Sequence, residues 1–241
     1  MHHHFIDQYS ELNSLLHRID PRVKIIMFTA IIFFVLLTPA GLLTPYIFYG
    51  AMILFLLVFS GIPFGYVFMR SLGVLPFVIL TAVFFFLPLG FKNPAPFVFL
   101  LIKATLSILS MVLLVSTTRF ADLLKAFEVM HCPPLFIMIL SFLYRYIYLF
   151  LDEFMKMQQA KMARTVRKEE NSWHRAKVFS SMIGYLFVRS YERGENVYLA
   201  MCSRGYQGRI KTLHAFVLGK RDYVFLALVF FYLIAVRIFY A

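Results

Sequence analysis

Apolar runs long enough to approach a bilayer crossing alternate with short turns along most of this chain, and one basic stretch interrupts them. The runs are Val23 to Thr38, Pro45 to Phe59, Leu72 to Leu89, Phe97 to Ser116 and Tyr223 to Tyr240. Each comes near the roughly 20 apolar residues that ~30 Å of hydrocarbon requires. Pro39 and Gly41 close the first, and Gly61 and Pro63 close the second. Asp20 before Pro21 predicts an N-cap followed by proline in the first helical turn. Pro76 and Pro88 predict a kink in the third helix, which neighbours in a bundle can accommodate.

The segment Pro133 to Leu151 is apolar enough to read as a further span. Crossing there would place Lys156, Lys161, Arg164, Arg167, Lys168, Arg175 and Lys177 on the outside, against the charge rule for membrane proteins. Ser141, Arg145, Tyr148, Asp152, Lys156 and Gln159 also recur every three or four residues, a polar stripe on one helix face. The expectation is therefore a long helix at the cytoplasmic interface that runs on to Arg164. After a polar hinge around Lys168 to Trp173, a second helix is predicted from about His174 to Met201. Phe179, Met182, Ile183, Leu186 and Phe187 form its apolar face, and Arg189, Glu192, Arg193 and Glu195 its polar one. Gly184 and Gly194 keep part of its surface small, which would let helix backbones cross closely. The same pattern also fits plain surface helices with solvated charges.

Each helical run ends in an arginine between small residues: Ala163-Arg164-Thr165 and Ser203-Arg204-Gly205. Two arginine tips on one side of a membrane suggest a docking surface. The fold class expected is an all-α integral membrane protein, with about five transmembrane helices and a pair of long interfacial helices. Its regions would be 1–118 with four spans, 119–212 with the helix pair, and 213–241 with the last span.

Composition agrees with lipid as the solvent. Hydrophobic residues make up 61% of the 241, with 29 Phe, well above the 45–50% typical of soluble domains. The net charge of +12 is read through the positive-inside rule, and no nucleic acid is expected as a partner. Arg18, Arg22 and Lys24 precede the first span, whereas the loop after it has no Lys or Arg. Arg70, Lys92, Arg119 and Lys125 follow in later connections, and the alternation places the N-terminus in the cytoplasm. The leader Met1-His2-His3-His4 lacks a signal-peptide pattern and is read as a native leader or tag remnant in preference to a metal site. Cys132 and Cys202 imply neither disulfide nor metal framework.

No enzyme motif is present: no GxxxxGK[ST], no GxSxG, no HExxH. His131, His174 and His214 are scattered. Lys103 and Arg237 lie near span ends, where they are expected to snorkel to water. A self-contained transporter or channel would need ionisable or broken-helix sites at mid-membrane. That alternative, and a membrane-bound enzyme or assembly factor, are disfavoured on these grounds.

Three stretches carry a family resemblance. Asn13-Ser14-Leu15-Leu16-His17-Arg18-Ile19-Asp20-Pro21-Arg22-Val23-Lys24 resembles the lead-in of the transmembrane T subunit of energy-coupling-factor (ECF) transporters. Tyr144-Arg145-Tyr146 with Glu153 and Ala163-Arg164 resembles the first coupling helix of that family. Gly184 to Ser190, Glu192 to Glu195, Ala200-Met201 and Ser203-Arg204-Gly205-Tyr206 resemble the second, most of all in the cobalt/nickel branch, the Q-type subunit. Thr165 stands where many relatives have glycine. The resemblance implies a multi-pass, non-catalytic subunit of the inner (cytoplasmic) membrane without cofactor. Its implied partners are two cytoplasmic ABC-type ATPases and a small membrane subunit that captures substrate, cobalt or nickel ion. A vitamin-type importer of the same kind is the alternative. Arg164 and Arg204, flanked by Ala163, Thr165, Ser203 and Gly205, are implied as the ATPase-docking residues.

Overall fold

The computed structural model describes residues 14, 16–17, 19–39, 41–86, 95–164, 172–208 and 219–240. Among these, nine helices and no strand are found: α1 Pro21–Leu37, α2 Thr44–Ser60, α3 Phe64–Leu72, α4 Leu75–Phe86, α5 Ala95–Thr117, α6 Phe120–Val129, α7 Pro134–Arg164, α8 Ser172–Ser203 and α9 Lys220–Phe239. The all-α membrane class is thus observed. Contacts divide the chain into two units, one of Met1–Met130 with His214–Ala241 and one of His131–Leu213. The short amphipathic helix α6 packs in the first, against α1.

Helix α1 lies inside the first unit, against α5, α9, α6 and α2. Its inward stripe is Lys24, Met27, Phe28, Ile31 and Val35, the three-to-four spacing of one helix face. Tyr49 and Ile53 of α2, Leu113 of α5 and Leu233 of α9 complete the fully buried layer. Outward positions such as Phe33, Leu54, Phe77 and Phe231 are exposed, as a surface covered by lipid tails requires.

Polar contacts fix the helix directions. Lys24 meets Thr117 and Leu36 meets Lys103, so α1 and α5 run antiparallel. Asp20 meets Asp222 and Leu37 meets Arg237, so α1 and α9 run parallel. The start of α1, the end of α5 and the start of α9 therefore gather at one end of the bundle, and Arg22, Lys24, Lys220 and Arg221 gather with them.

The helix ends follow the local chemistry. Asp20 caps α1, its Oδ1 accepting from Arg22 N at 2.9 Å, and Pro21 occupies the first turn as expected. Gly61 ends α2 at φ 71°, a left-handed conformation that glycine adopts without steric cost. The expected third span begins earlier, at Phe64, and breaks at Gly73–Val74. Pro76 explains the break: it lacks an N–H, and its ring clashes with the carbonyl four residues back, that of Leu72. The chain turns and restarts with Pro76 in the first turn of α4, where proline is tolerated. Pro88 lies outside the described residues.

By length and composition, Phe64–Thr81, Pro96–Thr117, Pro134–Arg164 and Lys220–Phe239 can each cross a membrane, and Thr44–Ser60 is a shorter apolar helix. Lys103 and Arg237 do not merely snorkel. Each donates to a carbonyl at the C-terminal end of α1, Leu36 O and Leu37 O, at 3.0 Å. These are carbonyls that a helix end leaves without an intrahelical partner.

Lys24 is 2% exposed and donates to His17 O at 3.2 Å and to Thr117 O at 3.0 Å. Lys24→Met keeps the apolar stem and strands both acceptors, so it should cost about 1–3 kcal/mol. The more exposed Lys103→Met should cost less. Thermal unfolding of the two variants in detergent tests this, and equal losses would show that burial does not set the value of the Lys24 bonds.

Candidate functional site

Helices α7 and α8 form the second unit with no buried residue in either. What holds them is a row of side-chain pairs. Tyr206 hydroxyl meets Met138 Sδ at 2.7 Å. The Arg193 guanidinium lies 5.5 Å from the Tyr146 ring centre. Arg189 pairs with the Glu153 carboxylate and lies against Tyr185 of its own helix. Phe154 and Phe179 meet edge to face at 5.8 Å. Along α7 the order is 138, 146, 153, 154, while along α8 and the residues just after it the order is 206, 193, 189, 179. The reversed order makes the pair antiparallel.

That direction decides where the two arginines sit. Arg164 is the last residue of α7, with Lys161 one turn before it, and a cation there complements the negative end of the helix dipole. Arg204 follows the end of α8, two residues before Tyr206, which touches the first turns of α7. The 26 residues from Met138 to Arg164, at 1.5 Å each, put the arginines about 40 Å apart. Arg164 and Arg204 are both exposed, as are Ala163, Ser203 and Gly205. Thr165 lies outside the described residues.

The second tip has a defined cap. Gly205 N donates to Cys202 O at 3.0 Å and Tyr206 N to Met201 O at 3.1 Å, with Gly205 at φ 77°. This is the Schellman pattern, in which a left-handed glycine closes the helix and bonds its last carbonyls. Ser203 Oγ donates back to Ala200 O at 3.0 Å. One turn earlier, a hydrogen bond to the Cys202 side chain raises the Tyr198 phenol above its ordinary pKa. Gly205 is therefore required by the backbone, and Arg204 is the residue the cap presents.

The close-approach role expected for Gly184 and Gly194 is not seen within the pair. A Cβ built at either meets nothing within 4 Å, and both glycines are exposed. Sequence reading found the residue types of the Glu153–Arg189 and Tyr146–Arg193 contacts but not their pairing. Oppositely charged side chains far apart in sequence carry no register on their own. Among the described residues no group of three or more His, Cys, Asp or Glu side chains is placed to hold a metal ion.

Residues 12–214 match the family CbiQ, described as cobalt transport protein. The chain belongs to this family. The energy-coupling factor transporter transmembrane protein EcfT of Listeria innocua is 30% identical over 84% of each chain. An uncharacterized protein of Methanocaldococcus jannaschii is 29% identical over 92% of this chain and 82% of its own. The nickel permease LarQ of Lactiplantibacillus plantarum is 29% identical over 53% of this chain and 46% of its own. The chain is thus a multi-pass transmembrane component of the energy-coupling-factor type.

The cap geometry yields a contrast between two glycines of one helix. Gly205→Ala forces a β-carbon into the left-handed region, at about 1–2 kcal/mol, and should speed amide exchange at Gly205 and Tyr206. Gly194→Ala sits in ordinary helix and should slow exchange around it, since alanine is the better helix former by about 1 kcal/mol. Hydrogen exchange read by mass spectrometry separates the two, and equal behaviour would contradict the cap assignment.

Proposed function

We propose that the chain is the coupling subunit of an ATP-driven importer, joining two cytoplasmic ABC ATPases to a separate membrane subunit that captures cobalt or nickel ion. The observation that carries this reading is the antiparallel α7–α8 pair, which presents Arg164 and Arg204 at its two ends. Tips about 40 Å apart cannot share one small receptor groove; they suit two separate ones, as a pair of ATPases offers. An exposed guanidinium suits bidentate bonding to carboxylates, and Ala163, Ser203 and Gly205 leave room for the partner's backbone.

The family description and the nickel permease name support the metal assignment. ATP chemistry falls to the partners, since this chain has no phosphate-binding loop motif. A vitamin-type substrate is the second reading, favoured by the Listeria relative, whose name carries no metal. ATP-dependent uptake of labelled cobalt against labelled vitamin by the whole complex decides between them.

Sidedness follows from charge. Arg22, Lys24, Lys220 and Arg221 gather at one bundle end, and the α7–α8 connection holds Arg167 and Lys168. The positive-inside rule places all of them, and the N-terminus, in the cytoplasm. Helix α7, although long enough to cross, would then lie along or dip into the cytoplasmic interface. The exposed apolar residues Leu135, Phe136, Phe179 and Phe187 would be covered by lipid or by the capture subunit.

Each arginine should matter separately. Losing a hydrogen-bonded charge pair at an interface costs roughly 2–5 kcal/mol, so Arg164→Ala and Arg204→Ala should each weaken ATPase copurification. Because the tips are far apart, their losses should add. Lysine should rescue only in part, lacking the planar fork. A double variant that assembles and transports like the parent at equal membrane levels would end the docking role. Separately, a cysteine at position 173 in a Cys132→Ser, Cys202→Ser background should resist impermeant thiol reagent applied outside intact cells. Efficient labelling there would mean that α7 crosses the membrane.

A further inference from the structure

A concavity of about 400 Å³ opens between α2 and α9 on the first unit. Its lining includes Met52, Phe55, Phe225, Leu228, Val229 and Tyr232. Phe55 and Leu228 are well exposed, so the groove faces the surroundings of the bundle. The Tyr232 hydroxyl is occupied, donating to Phe48 O at 3.0 Å. The volume lies in the range of ligand sites, and the lining asks for an apolar occupant.

Arg221 shares the helix face of this groove. Phe225, Leu228, Val229 and Tyr232 follow it by four, seven, eight and eleven residues, the spacing of one stripe. Lys220 stands beside it, and both are exposed in the first turn of α9. Neither makes a hydrogen bond or ion pair among the described residues. The neighbouring acid does not neutralise them by direct contact. Asp222 is turned inward, accepting from Gly219 N at 3.0 Å and from Asp20 N at 3.5 Å.

The dimensions select the occupant. From Arg221 to Tyr232 the helix rises about 16 Å, close to the ~15 Å of one leaflet's hydrocarbon. A partner's transmembrane helix would need about twice that depth, whereas one acyl chain hanging from an anionic headgroup fits it. Basic residues beside grooves between transmembrane helices attract anionic lipid headgroups. We propose that the α2–α9 groove holds one acyl chain of an anionic phospholipid, whose phosphate is bound by Arg221 and Lys220.

The test uses the purified full-length chain in detergent, without ATPases, so its outcome is independent of the coupling role. Native mass spectrometry titrates dioleoyl-phosphatidylglycerol against dioleoyl-phosphatidylcholine. Phosphatidylglycerol should bind about tenfold or more tightly, since two cations act on its charge. Lys220→Gln with Arg221→Gln should remove that preference while leaving phosphatidylcholine binding unchanged. Leu228→Trp should fill the groove and weaken both lipids; Ala51→Phe replaces it if the first variant elutes as aggregate. Equal binding of the two lipids by the parent would overturn the proposal. So would a preference that survives the double substitution, or full lipid occupancy in both filling variants.

Discussion

Every helix ends with carbonyls that no residue of that helix can satisfy, and in a bundle covered by lipid there is little water to take them. This constraint organises the first unit. Helix α1 has no basic residue in its last turn, so its end is bonded from outside, by Lys103 of α5 and Arg237 of α9. At the other end Lys24 of α1 returns the favour to α5, at Thr117 O. Cations set among apolar residues thus serve as reciprocal caps, and they set helix direction as well. A lysine can reach the end of a neighbouring helix only if the two run in the right sense and register.

The second unit is held differently. With no buried core of its own, α7–α8 depends on an ion pair, a cation–π contact, an aromatic edge contact and one hydroxyl–sulfur contact. Pairs exposed to solvent contribute little individually, about 0–1 kcal/mol for an ion pair. Their row nevertheless specifies an antiparallel register, because each contact requires its partner at one height. The consequence is spacing. Helices of fixed rise act as a ruler, and the antiparallel pair holds Arg164 and Arg204 at opposite ends.

The Ser203-Arg204-Gly205 motif is built by its backbone. Gly205 is needed because the chain reverses through a left-handed conformation there, and Arg204 is presented because it precedes that reversal. The structural role of the glycine is this reversal, apart from the partner-flanking role proposed for it. Ala163-Arg164 ends α7 without such a glycine, so the two tips are alike in charge and unlike in backbone.

Much of this was legible in the chain itself. Apolar run lengths located α1, α2, α5 and α9 to within a few residues, because hydrocarbon thickness and helix rise leave little freedom. Asp20-Pro21, Gly61 and the two long amphipathic helices were equally readable, since capping and the 3.6-residue period are local effects. The start of the third span was misplaced: α3 already runs over Phe64–Leu72 and Pro76, acting on the carbonyl four residues before it, ends it there. The open space beside Gly184 and Gly194, and the carbonyl partners of Lys103 and Arg237, were not readable for one shared reason. A residue type states what a side chain can do, not which neighbour stands opposite. Composition and local period determined that this is a helical membrane protein with two arginine-tipped helices. Only tertiary packing, which brings Glu153 to Arg189 and Met138 to Tyr206, decided that those tips point to opposite ends.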